Sequence, residues 1–199
     1  MNGTQRFCVA LLLGLSCMSG TQAGVEKSTV PCDDKMCLWE RPIVAPVSAW
    51  RLDAEHSARI RTAIYVLVND RSAQAESTVR VMTQAFARTT GTRLEDFIIA
   101  ERDRLLGPSL DMQVTELPPL KDAAGGGLST IEIAPSTGRS GAVQTVVFAQ
   151  DGDYFVTFSY SAASRDAHRL HYADFAQFIA AYRADKASVS APPGKRAKR

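Results

Sequence analysis

The pattern of apolar and polar positions marks out five β-rich runs along the chain. Thr62-Ala63-Ile64-Tyr65-Val66-Leu67-Val68 is rich in β-branched and aromatic residues and reads as a buried strand, closed by the turn pair Asn69-Asp70. From Thr78 to Ala87, Val79, Val81 and Ala85 alternate with Arg80, Met82, Gln84 and Phe86. That predicts a strand with one wet face, with a helix as the alternative. Between Leu128 and Ile133, Leu128, Thr130 and Glu132 fall on one side, Ile131 and Ile133 on the other. The runs 142–149 and 154–160 flank Asp151-Gly152-Asp153, and an Asp-Gly between two β-rich runs predicts a hairpin. Two weaker strands are expected at Trp50-Arg51-Leu52 and from Met112 to Leu117, the second stopped by Pro118-Pro119.

Two stretches carry helical spacing instead. Leu94, Phe97, Ile98 and Leu105 make one stripe. Thr92-Arg93-Leu94-Glu95 fits a capping box with Thr92 as N-cap, and Gly107-Pro108 ends the helix with a left-handed glycine cap. Tyr172, Phe175, Ile179 and Tyr182, with Phe178 beside them, predict a helix from about Arg165 to Tyr182, capped by Ser164 and favoured by Asp166 in its first turn. The expected fold class is α+β: an antiparallel β-sheet with two main helices in an α/β/α sandwich. Lys121 to Gly127, with three glycines in a row, reads as a flexible loop.

The ends change the picture. Arg6 is followed by the apolar run Phe7 to Leu15 and small residues ending in Ala23. This is the pattern of a secretory signal peptide over residues 1–23, with an apolar run too short to span a bilayer. The expected location is periplasmic or secreted. Gly14-Leu15-Ser16-Cys17 resembles a lipoprotein box, with Gly14 in place of the usual Leu, so Cys17 is a candidate lipid anchor. Residues 24–48 read as an arm holding Cys32 and Cys37, with Trp39 and Trp50 as staples to the body. In an oxidising compartment two nearby cysteines pair, and so short a loop gains on the order of 2 kcal/mol. Residues 49–184 form one domain. The tail from 185 to 199 holds Lys195, Arg196, Lys198 and Arg199 and reads as disordered. Those four cations account for the basic balance of 23 Lys+Arg against 21 Asp+Glu. The near-neutral body excludes a dedicated nucleic-acid binder; the tail can touch anionic lipid.

No stretch spells out a reaction. His168 and His171, at i and i+3, can hold a metal with Asp166 or Asp174, but a third ligand at fixed spacing is missing. Cys32 and Cys37 have four residues between them, not the two of redox pairs. Gly138-Arg139-Ser140-Gly141 only resembles a nucleophile elbow. Gly125-Gly126-Gly127 can cradle an anion but lacks the lysine and helix of a phosphate loop. Asp151-Gly152-Asp153 lacks the spaced oxygens of a calcium loop. No cofactor is expected.

The element order and texture of residues 50–183 resemble the Mog1/PsbP-like group, which includes the DcrB proteins. The pieces that match are Trp50, the Leu-Glu-Asp-Phe-Ile helix start at 94–98, the Gly-rich loop, the hairpin 144–160 and the closing helix from Phe175 to Arg183. The resemblance implies an exported accessory protein that works by binding, with no shared catalytic set. The sequence therefore leads to a non-enzymatic envelope protein that binds a protein or an envelope component. Its site is expected at the exposed sheet face or in the concave gap between the hairpin and the Pro118 to Gly127 loop, which includes Pro118, Pro119, Gly125, Gly126 and Gly127. Two alternatives stay open. One is a small secreted metal-binding protein or enzyme using His168 and His171; the other is an inhibitor or immunity protein against an envelope-acting toxin.

Overall fold

A computed structural model describes residues 24–32, 35–68, 79–107, 111–136 and 139–184. The expected signal peptide over 1–23, Cys17, the turn expected at Asn69-Asp70, Pro108, Gly138 and residues 185–199 lie outside the described residues, as does the side chain of Cys32.

Nine strands and three helices follow one another along the described chain. β1 (Val25–Cys32) pairs with β2 (Lys35–Pro42) as a separate two-stranded sheet. The main sheet holds β3 (Trp50–Leu52), β4 (Ala63–Leu67), β5 (Val79–Ala87), β6 (Met112–Lys121), β7 (Gly127–Pro135), β8 (Val143–Asp151) and β9 (Tyr154–Ala162), all paired antiparallel in the order 3-4-5-9-8-7-6. α2 (Leu94–Leu106) covers one face and α3 (Arg165–Ala180) the other, which gives the α/β/α sandwich. Period-2 alternation builds both cores at once. On β8, Val147 and Ala149 join the α3 side, while Val146 and Phe148 join the α2 side. On β7 the same split sends Leu128 to α3 and Ile131 and Ile133 to α2. Residues 78–87, open between strand and helix on the pattern alone, form a strand over Val79–Ala87.

The β8–β9 hairpin turns on Gly152 and Asp153, with Asp151 paired to Tyr154. Gly152, at φ 55°, is the first central residue, where a II′ turn takes glycine. Ser164 caps α3 by accepting a hydrogen bond from the Ala167 amide at 3.2 Å.

Five expectations need correction. Within the arm at 24–48 two strands form that were not expected, β1 and β2, whose Val30 and Trp39 pack with Ala63 of the main sheet. Pro31 and Pro42 lie on strands that each have one free edge, where proline is tolerated, and Pro46 lies in the connection to β3. A third helix, α1 (Ala54–Ile60), was not expected; Asp53 caps it by accepting from the His56 amide at 3.2 Å. Thr92 is not the cap of α2. Thr89 to Thr92 close a turn around Gly91 at φ 89°, so the helix starts after Arg93, with no side-chain cap, and Glu95 pairs with Arg93 instead. α3 ends at Ala180, because Tyr182 leaves the helix to bridge Val44. Finally, Pro118-Pro119 do not stop β6. The strand continues to Lys121 through a bulge, three steps from Leu117 to Leu120 opposing two on β7. β6 is an edge strand, so the missing proline N–H groups break no ladder on its outer side.

Candidate functional site

The bulge on β6 leaves a groove against the first half of α3. It encloses about 520 Å³. Leu117, Pro118, Pro119 and Leu120 line it from β6; His168, Arg169 and Tyr172 line it from α3, and β7 contributes Glu132. The wall is mostly apolar. Its backbone offers few donors: the prolines have none, and the Leu120 amide donates to Thr130 Oγ1 at 3.3 Å.

A row of polar side chains crosses the sheet beneath this end of α3. Glu132, Thr145 and Tyr160 stand opposite one another on β7, β8 and β9. Each is committed. Glu132 Oε1 accepts from Arg165 Nη1 at 2.9 Å. Thr145 Oγ1 lies 2.9 Å from His168 Nε2. The Tyr160 hydroxyl donates to the His168 carbonyl at 2.8 Å. The His168 ring is buried and packs against Tyr160 and Tyr172 at centroid distances of 4.7 and 5.8 Å. Burial holds its pKa below the ordinary imidazole value, against the pull of Glu132 and with help from Arg165. Burial, with a smaller contribution from Glu132, raises the Tyr172 phenol. The site therefore contains a buried imidazole held below its ordinary pKa, with Thr145 as its fixed partner.

The structure brings Pro118, Pro119 and His168 together and separates the other candidates from them. His171 turns away from the groove lining, and its Nδ1 meets Asp174 Oδ2 at 3.2 Å. The two histidines have different partners, and among the described residues no group of three or more His, Cys, Asp or Glu side chains is placed to hold a metal. Gly125, Gly126 and Gly127 do not line the groove. They belong to a tied turn, not a flexible loop: the buried Asp122 carboxylate accepts from the Ala124 amide at 3.0 Å and the Gly126 amide at 2.6 Å. Gly125 takes φ 78°. A carboxylate of the chain itself thus occupies the place an anion would take. Asp151 is also engaged, accepting from the buried Tyr182 hydroxyl at 2.7 Å. Ser140 borders a small cavity with Arg139, Ser164 and Asp166, and no histidine lines it.

Sequence reasoning missed Glu132, Thr145, Arg169 and Tyr172 as parts of a site. Tyr172 was legible as a core-stripe residue and Glu132 as the polar member of an alternating strand. Their convergence depends on β6–β7 pairing and on how α3 seats, which no local pattern carries. Among the described residues no helix is long and apolar enough to cross a membrane. Compared with protein-family models and with curated proteins, the chain matches none.

Proposed function

We propose that this chain is an exported, non-enzymatic binding protein of the cell envelope, and that its site is the groove between the proline bulge of β6 and the first half of α3. One observation carries the reading: the groove is apolar, and its acid and its imidazole are already engaged within the fold, by Arg165 and Thr145. A site built for proton transfer needs a group within reach of the substrate and free to titrate. A site built to bind needs an apolar wall and a few fixed polar groups. Export rests on the signal-peptide pattern of residues 1–23, and the resemblance to Mog1/PsbP-like proteins points to the same kind of role. In the same compartment a Cys32–Cys37 disulfide would pin the end of the β1–β2 hairpin.

The test is purification from the native envelope under mild conditions, for the wild type and for Pro119→Glu, with mass spectrometry of associated proteins and lipids. A stoichiometric component present with the wild type and lost from a folded Pro119→Glu protein supports the reading. The same associated components on both proteins would remove the groove from the account.

A further inference from the structure

We propose that the groove takes an amphiphilic anion, a ligand with an apolar chain and one carboxylate, of the kind a free fatty acid presents. The inference rests on the binding reading above and goes further, naming the chemistry of the ligand. Three observations carry it. The cavity, about 520 Å³, lies in the range of small-ligand pockets. Its apolar wall offers an extended peptide few backbone donors: Pro118 and Pro119 donate nothing, and the Leu120 amide is taken by Thr130. Peptide groups buried there would go unpaired, at a cost of about 1–3 kcal/mol each. An acyl chain has no such groups.

The charge at the mouth is the third observation. Glu132 is paired with Arg165, and the His168 ring is engaged by Thr145. Arg169 has no carboxylate partner among the described residues. Its guanidinium fork matches a carboxylate in two parallel hydrogen bonds. Tyr172 stands three residues further along α3, on the same face, with its hydroxyl available as a second donor. The ligand that complements this groove is therefore apolar along its length and singly negative at one end.

The experiment is calorimetric titration of the purified chain with laurate below its micelle concentration, beside dodecanol and dodecyltrimethylammonium as neutral and cationic probes. The proposal predicts saturable one-to-one binding of laurate, at least ten-fold weaker binding of the other two, and at least ten-fold loss in Arg169→Glu, with partial rescue in Arg169→Lys. Arg169 is exposed, so both variants should unfold at the wild-type midpoint. Equal binding of all three probes would overturn the charge assignment. Absence of laurate binding would overturn the proposal. If Pro119→Glu nevertheless strips a native component, the binding reading survives without it; if Pro119→Glu changes nothing either, both fall.

Discussion

The two helices that sandwich the sheet are held in different ways. α2 lies on Ile131, Ile133, Val146 and Phe148 with a stripe that is only half-buried: Leu94, Phe97, Ile98 and Leu105. Its ion pairs, Arg93 with Glu95, Arg102 with Asp103 and Arg104 with Glu101, stay within its own turns or its cap. α3 buries Phe175, Phe178 and Ile179 completely, and hydrogen bonds fix it to the sheet at several heights. Tyr160 and Thr145 hold His168, the Trp50 indole donates to the Asp174 carbonyl at 3.0 Å, and Tyr182 just past its end donates to Asp151. Apolar contact is non-directional and tolerates sliding, whereas hydrogen bonds to buried partners fix register. The helix tied to the sheet by buried hydrogen bonds is the one that lines the groove.

Truncation separates the helices most strongly. Phe175→Ala, at a fully buried position stacked on Tyr160 at 4.9 Å, should cost about 3–5 kcal/mol in urea unfolding. Phe97→Ala, half-buried against Phe155 and Phe148, should cost about 2 kcal/mol. Equal losses would mean that the two sides are packed alike.

The buried hydrogen bonds come next. Tyr182→Phe removes the hydroxyl that the Asp151 carboxylate accepts from inside the core, and a loss of about 1–3 kcal/mol is expected. A midpoint unchanged from the wild type would show that this bond adds nothing to the seating of the chain after α3.

Acid should affect the α3 side through His168. Its folded pKa is depressed, so the folded state holds it neutral while the unfolded chain takes up a proton. The stability it contributes is present above the unfolded value of about 6.5 and is lost as pH falls below that value. Glu132 from β7 opposes the shift and Arg165 reinforces it; Thr145 and Tyr160 face the ring side and backbone from β8 and β9. Unfolding titrations between about pH 7 and 5 should show a shallower decline in His168→Gln than in the wild type. Parallel curves would place the acid sensitivity elsewhere. The smallest effect belongs to the surface pair: Arg165→Ala, which removes an exposed partner of Glu132, should change stability by about 1 kcal/mol or less.

Much of this architecture was legible where one period dominates. β5 alternates, β4, β8 and β9 are rich in β-branched and aromatic residues, α2 and α3 repeat their apolar stripes, and Gly152 and Ser164 mark a turn and a cap by chemistry that acts over a few residues. The misses share a cause. α1 is seven residues long with only Ser57 buried, so it carries no apolar stripe to read. β1 and β2 contain Pro31 and Pro42, and β6 contains Pro118 and Pro119; such residues argue against a strand until it is known to have a free edge. Edge position is a property of the assembled sheet. The groove is harder still, because Pro119 and His168 stand far apart in sequence and meet only once β6 has paired with β7 and α3 has seated on both.

The most direct test of the account is a laurate titration followed by amide and side-chain NMR shifts across both faces of the sheet. The account predicts saturable shifts confined to the α3 side, at Leu117, Leu120, Glu132, Arg169 and Tyr172, with the α2 stripe from Leu94 to Leu105 unmoved. Shifts centred on α2, or none that saturate, would contradict it.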